Sequence, residues 1–466
     1  MNRVILETRK EIKVHFVGIG GIGMSGIAEV LLTLGFKVTG SDMQESDSTK
    51  RLSLLGAEIF IGHYSDNVSD VSVVVYTSAV RDDNPEIIEA KRKNIPVIKR
   101  AEMLAELMRL KCGVAVAGTH GKTTTTGMLA TILKENSKDP SYMIGGVVTN
   151  LAGHAKVGKG DYLVAEADES DGSFLLLNPI MSIITNIDAD HMDYYGTNQK
   201  LVAAFDEFAN KIPFFGSCAL NIHDDNLMNI KRKMKKPSVT FGIDDGTIEK
   251  VDYLAKNISH TLSGSIYDLY YRNDFKTKVR ISIPGRYNIL NSLGAIAISH
   301  LLGIDFESIS RSMDKFDGIG RRFNVLYSDD CMSIVDDYAH HPTAISTFLR
   351  TLKEISPESK IIALFEPHRY TRTRDCWNQF HHCFNYADEL YLGPIYAASE
   401  KELPGIDSEA LSCDINKIHP NFSKALHDMY MIRDVIRSNR NEKVVVAAFG
   451  AGSVSKVIKE VVKELE

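Results

Sequence analysis

The 466-residue chain has only six cysteines, Cys112, Cys218, Cys331, Cys376, Cys383 and Cys413, and no two stand at CxxC spacing. That excludes a CxxC-type centre, and with most of the thiols in or beside apolar runs a reducing compartment is the simplest reading. Positive charge is also short: 54 basic against 60 acidic residues leave a net charge of −6. No global field gathers nucleic acid or an anionic membrane surface, so any anionic ligand must be held locally. No uninterrupted apolar run approaches the ~18 residues of a membrane span, and the N-terminal stretch has no apolar segment ending in a small-residue cleavage site. A cytoplasmic location is the expectation. Internal repeats and low-complexity segments are absent too. The 44% hydrophobic and 24% charged residues are ordinary for a folded protein, and at roughly 150 residues per domain the length suggests about three domains.

What is present is strand and helix in alternation. Ile12 to Val17 is apolar and β-branched, glycines follow from Gly18 to Gly23, and a helical pattern runs through Leu34. Further strands are expected over 36–39, 58–61, 71–76 and 96–98, and a helix over 100–110. A second unit starts with a strand over 113–117, with later strands over 162–165 and 181–186, shorter strands over 238–283 and a helix over 288–302. The segment Asp317 to Arg322 suits a domain junction, beyond which strands are expected over 333–335, 361–365, 389–392 and 444–449. This alternation argues for parallel α/β sheets. The basic cluster Lys231 to Lys236 reads as a solvated surface.

The strongest motif is GTHGKTTTT, Gly118 to Thr126, between an apolar strand and a helical segment. It has the ingredients of a P-loop: amides at a helix N-terminus for phosphate oxygens, Lys122 for the terminal phosphates and the Thr123 hydroxyl for Mg²⁺. Two residues rather than the usual four separate Gly118 from Gly121, a shortened variant. A P-loop needs metal-holding carboxylates from a neighbouring strand end, and LVAEADESD supplies them, Glu166 first. The sequence TNIDADHMD sets His191 among three acids, either as a hydrogen-bonded structural residue or as a ligand to a second metal. Gly18, Gly20 and Gly23 form G-x-G-x-x-G with Asp42 closing the next strand; the turn fits a diphosphate nucleotide, NAD or plain packing. GAGSVS, from Gly450 to Ser455, reads as a packing turn. DDYAHHP and PHRYTRTRD each follow a short strand, and their arginines suit an anionic ligand.

Read in order, HFVGIGGIGMSGIAEVL, GTHGKTTTT, EADESD, TNIDADHMD, GRYNILN, GRRF, DDYAHHP and PHRYTRTRD resemble the Mur ligases over nearly the whole chain, His15 to about Ser455. Within that family the chain resembles the branch that adds L-alanine to UDP-N-acetylmuramate. The resemblance implies an α/β protein of three domains: a Rossmann-like N-terminal domain, 1–110, for the UDP-sugar; a central P-loop-type ATPase domain, 111–320, for ATP and Mg²⁺; and a Rossmann-like C-terminal domain, 321–466, for the amino acid. It places the UDP-sugar against Gly18, Gly20, Gly21 and Gly23, with Asp42, His63, Ser78 and Arg100 nearby. ATP falls to Gly118, Thr119, His120, Gly121, Lys122, Thr123 and Thr124, with Asn288 and Asn291 on the adenine side, Arg321 at phosphate and Asp337 at the ribose. Thr123, Glu166 and His191 are the implied metal ligands, and Tyr338, His340, Arg369 and Arg372 the alanine side; Lys122, Glu166, His191 and Arg321 are the implied catalytic set.

Several relatives help hold the second metal with a carbamylated lysine downstream of DHMD, but Leu201 to Asp206 contains no lysine, which leaves that ligand set open. Rival readings are a ligase that attaches a preformed tripeptide to the same sugar nucleotide, a P-loop switch and an NAD-dependent dehydrogenase. The last leaves GTHGKT unexplained.

Overall fold

The glycine turns and acidic segments singled out above sit at the ends of strands in three sheets. The computed structural model describes residues 11–465 apart from 78, 79, 82, 149, 152, 247–249, 399 and 441. Ser78 therefore lies outside the described residues.

The first sheet has five parallel strands in the order Glu58–Ile61, Lys37–Asp42, Lys13–Val17, Val73–Tyr76, Val97–Lys99. The second has ten, with Cys112–Ala117 between Met181–Ile184 and Tyr162–Glu166, all three parallel. The third has six, where Val444–Phe449 lies between Met332–Asp337 and Lys360–Phe365, again in parallel. Strands covered on both faces read as continuous apolar runs, as Val444–Phe449 (VVVAAF) does. In such sheets ligands are met at the carboxyl ends of the strands, where loops pass to the following helices.

The chain divides into two compact units. One comprises Met1–Asn257, Tyr267–Arg280 and Tyr287–Asp317; the other comprises Ile258–Ile266, Ile281–Arg286 and Gly318–Glu466. The first sheet lies in the first unit, the third sheet in the second.

Most expected elements are present within a few residues, and the differences have local causes. The strand expected to stop at Thr39 continues to Asp42, because parallel pairing carries on through Val17 with Ser41 and Asp42 with Ile61. The strand expected to reach Asn186 stops at Ile184, since Thr185 and Asn186 turn their side chains to the P-loop backbone. An antiparallel hairpin of Ser141–Val148 and Gly153–Lys156 has no counterpart in the sequence reading; its internal glycines weaken the strand pattern. The short buried strand Ser217–Asn221 was equally silent. Among the described residues no helix is long and apolar enough to cross a membrane. The Lys231 to Lys236 cluster ends a helix, with Arg232 and Lys233 exposed, in keeping with a solvated face.

Candidate active site

Three loops meet at adjacent strand ends of the second sheet. The first joins Cys112–Ala117 to the helix Lys122–Glu135, whose residues from Thr124 to Leu133 are buried and anchor it to the sheet. Gly118 and Gly121 have φ of 129° and 87°, in the region that glycine alone adopts freely. A Cβ on Gly118 would fall on the Thr185 hydroxyl, and one on Gly121 on the Asn291 side-chain oxygen. Asn291 is buried and donates to Asn288 Oδ1 at 3.3 Å, so the two expected adenine-side residues sit together against the loop.

The loop is also tied from the third strand end. Thr185 Oγ1 and Asn186 Nδ2 donate to the His120 carbonyl at 2.6 and 2.9 Å, Asn186 Oδ1 accepts from the His120 amide at 2.9 Å, and the Thr119 hydroxyl accepts the Asp188 amide at 2.9 Å. Thr119 and His120 are thereby placed as loop-shaping residues. His120 Nε2 also lies 3.0 Å from Asp188 Oδ2.

Lys122 Nζ donates to Gly118 O at 2.7 Å, to Thr119 O at 3.3 Å and to both Glu169 carboxylate oxygens at 2.8 Å. Glu169 is 1% exposed, and its carbonyl accepts the Tyr195 hydroxyl at 2.6 Å. The Thr123 hydroxyl donates to Glu166 Oε2 at 3.3 Å, while Glu166 Oε1 accepts the Gly145 amide at 2.5 Å. His191, at φ 57°, has Nε2 3.9 Å from Glu169 and 3.7 Å from Asp190. Lys122, Thr123, Glu166 and His191 thus share one region. Glu169 was quoted in its motif but given no role; a buried acid at a strand end beside a P-loop lysine is the signal that could have found it.

At the first glycine turn, Asp42 Oδ2 accepts the Gly20 amide at 2.8 Å, so this expected UDP-sugar neighbour shapes the turn. Arg100 Nη2 lies 3.6 Å from Asp168 Oδ2, and a Cβ on Gly23 would meet the guanidinium at 2.9 Å. Burial raises the Asp168 carboxyl, but Lys122, the Ser170 hydrogen bonds and Arg100 outweigh it and leave the pKa below the usual range.

Beneath this turn lies a buried network that sequence reasoning missed. Fully buried Glu86 accepts from Ser41 Oγ and Asn67 Nδ2 at 2.6 Å each, with His63 Nδ1 at 3.2 Å and His15 Nε2 at 3.6 Å. Burial alone would raise the Glu86 pKa, yet the nearby His15 and the hydrogen bonds from Ser41 and Asn67 carry it below the ordinary 4.5. A carboxylate depressed in the folded state stabilises above its unfolded pKa, and that stability is lost as pH falls through the lower folded value. Glu86→Gln should therefore flatten the fall in Tm between about pH 6 and about pH 3 in scanning calorimetry. Equal slopes in both proteins would remove Glu86 as the source.

In the second unit, Tyr338, His340, His368 and Arg372 gather beyond the ends of Met332–Asp337 and Lys360–Phe365, the two strands that flank Val444–Phe449. The His340 ring lies 5.4 Å from Tyr338 and 5.8 Å from His368, and Arg372 Nη1 donates to His368 Nδ1 at 3.2 Å. Tyr338 also carries Arg321 and Arg322 over its ring at 4.9 and 5.2 Å. His340 Nδ1 donates to the Tyr338 carbonyl at 2.9 Å, which fixes its tautomer. Burial first, then the neighbouring Arg372, lowers the His340 pKa to about 3, and the same two causes lower His368 to about 4. Both rings are neutral at working pH. His368 and Tyr396, whose rings stack at 5.5 Å, were not assigned from sequence.

Three expected residues look different in place. Asp337 is buried with its two oxygens accepting the Phe323 and Ala339 amides at 2.7 Å each, which fixes the orientation of its carboxylate. Arg321, at φ 64°, donates to the Gly450 carbonyl at 2.5 Å. Arg369 is exposed at φ 70° and begins the helix Tyr370–Asp375, to which Arg372 belongs. At GAGSVS the Glu366 carboxylate accepts from Ser453 Oγ at 2.5 Å and the Val454 amide at 3.1 Å. An internal acid occupies this helix N-terminus, as a packing turn requires.

Three family models match in order along the chain: "Mur ligase family, catalytic domain" over residues 13–111, "Mur ligase middle domain" over 116–299 and "Mur ligase, glutamate ligase domain" over 321–452. The UDP-N-acetylmuramate–L-alanine ligase of Trichlorobacter lovleyi is 44% identical over 97% of this chain and 99% of its own. The enzyme of that name from Geobacter sulfurreducens is 46% identical over 95% of each chain. Among solved structures, the UDP-N-acetylmuramate-alanine ligase of Thermotoga maritima superposes with a TM-score of 0.78 at 31% identity, covering 97% of this chain and 99% of that one. From the shared strand ends to these matches over almost its whole length, the chain belongs to the Mur ligases.

Proposed function

We propose that the chain is an ATP-dependent ligase that joins L-alanine to the lactyl carboxylate of UDP-N-acetylmuramate, releasing ADP and phosphate, in peptidoglycan precursor synthesis. The observation that carries this reading is the convergence of Lys122, Glu166 and Glu169 at adjacent parallel strand ends, in a chain whose relatives at 44 and 46% identity bear that activity in their names. Residues 1–110 take the UDP-sugar, 111–320 ATP and 321–466 the amino acid. The reaction belongs in the cytoplasm, in keeping with six free thiols.

Thr123 and Glu166 offer only oxygen donors 3.3 Å apart, the hard ligands that Mg²⁺ prefers. These two would hold a first ion and His191 a second, and a bound ion would neutralise charge on the phosphates. The chain's own part in the first step is electrostatic. Lys122 and the amides at its helix N-terminus face the transferring phosphoryl group, and Arg321 adds charge at phosphate. The lactyl carboxylate oxygen attacks the γ-phosphorus, ADP leaves, and an acyl phosphate results. The neutral amine of alanine, gripped through its carboxylate by Arg369 and Arg372 beside Tyr338 and His340, then attacks the carbonyl; phosphate departs and the amine proton is lost. With a pKa of about 3, His340 accepts a hydrogen bond from the amine at Nε2 but is too weak a base to hold its proton.

If the lactyl carboxylate carries heavy oxygen, one label should appear in the released phosphate, because that oxygen bridges carbon and phosphorus before the amine arrives. Mass spectrometry of the phosphate reads this directly. Unlabelled phosphate would mean hydrolysis uncoupled from the carboxylate and would favour a P-loop switch.

A further inference from the structure

Lys122 is the group this reading assigns to the phosphates, yet its ammonium is fully engaged within the protein. An ammonium has three N–H donors and no more. Here they face Gly118 O, Thr119 O and the two oxygens of Glu169, with the carboxylate taken symmetrically at 2.8 Å. A lysine that reaches a phosphate must surrender part of this set. The two backbone carbonyls belong to the loop that Lys122 closes, so they travel with it; Glu169 comes from a different strand end and is the only acid in the set. It is also buried, 1% exposed, with Tyr195 Oη donating to its backbone carbonyl at 2.6 Å. Asp168 and His191 lie alongside, His191 Nε2 at 3.9 Å, without displacing the lysine from it.

We propose that Glu169 is a positioning residue that competes with nucleotide phosphate for the Lys122 ammonium, weakening ground-state nucleotide binding while aiming the lysine at the transferring phosphoryl group. The proposal rests on the reading of Lys122 as a phosphate-side residue. A carboxylate that holds the Lys122 ammonium lowers affinity for every nucleotide anion that needs it, whereas a lysine steered by two equal hydrogen bonds arrives in one geometry rather than many. Interactions of this kind appear in kcat rather than in binding. A purely structural acid would do neither.

The test is calorimetric titration with ADP in the presence of a chelator, so that no divalent ion takes part, alongside steady-state kinetics on the full chain. Glu169→Gln keeps the shape and removes the charge; its Kd for ADP should fall about tenfold while kcat falls at least tenfold. Glu169→Asp, which retains the charge but shortens its reach, should recover part of the kcat. In the Lys122→Ala background, Glu169→Gln should no longer tighten ADP, because the competition runs through the lysine. Tightening that persists there would reveal a simple field effect and overturn the proposal, as would an ADP affinity unchanged in Glu169→Gln. Should Glu169→Gln fail to fold, Glu169→Asp carries the test: about threefold tighter ADP supports the proposal and no change overturns it. If the parent chain binds no ADP, the nucleotide reading falls and takes the proposal with it, an outcome distinct from normal binding that the substitution leaves untouched.

Discussion

Lys122→Ala should lower kcat by at least about 10²–10³-fold while the affinity for the UDP-sugar, measured by calorimetry, changes little. The ammonium stands at the helix N-terminus that the proposed reading assigns to the phosphates, in a partly buried site where a charge acts more strongly than in water. Each tenfold in rate is about 1.4 kcal/mol of transition-state stabilisation, so the expected loss is about 3–4 kcal/mol or more. The same substitution leaves Glu169 as a buried charge without its cation, a change that typically costs about 3–5 kcal/mol of stability. Lys122→Ala should therefore also melt earlier, and adding Glu169→Gln should restore the melting temperature without restoring turnover. Turnover within about tenfold of the parent would show that Lys122 does not serve phosphoryl transfer.

Arg372→Ala should raise the KM for L-alanine about 10–150-fold, the worth of a charged hydrogen bond of roughly 1.5–3 kcal/mol, with the KM for ATP nearly unchanged. In the structure its guanidinium lies against His368 Nδ1 at 3.2 Å, within the group that includes Tyr338 and His340. Carboxylate recognition of this kind is common to all amino acids, so discrimination must come from the side chain. One methyl in an apolar pocket is worth only about 1–3 kcal/mol, or roughly 10–200-fold. Glycine should thus be a poor substrate and serine a measurable one, whereas D-glutamate brings a second carboxylate without an assigned partner and should fail. Because the His340 pKa is about 3, the pH profile of the alanine KM should show no break from this residue above about pH 4. A preference for D-glutamate or a tripeptide in competition would overturn the choice of amino acid and leave the ligase class standing.

How far the site could be read in advance differed from one part to another. The P-loop was plain, because a shortened glycine loop, a lysine, a threonine and a buried helix follow one another within a few residues. Glu166 was legible as the first acid beyond an apolar strand. Glu86 was not: it is one glutamate at the start of an ordinary helix, and only the packing of that helix beside Ser41, His63 and His15 makes it a buried acid. The resemblance places Asp337 on the ribose side, and nothing in the linear pattern shows that its oxygens also accept the Phe323 and Ala339 amides.

The order of motifs along the chain was thus enough to determine the family, the three-domain α/β architecture and the glycine loop before Lys122, because each depends on residues close together in sequence whose spacing sets their conformation. Partnerships between distant segments were decided by the tertiary structure. Lys122 and Glu169 are 47 positions apart, and Ser41 and Glu86 are 45. The geometry of such pairs is set by strand register and helix packing, and their energies by burial, neither of which a linear pattern specifies. For the same reason His340 and His368 are neutral: burial and the nearby Arg372 lower their pKa values, and both are properties of the packed site.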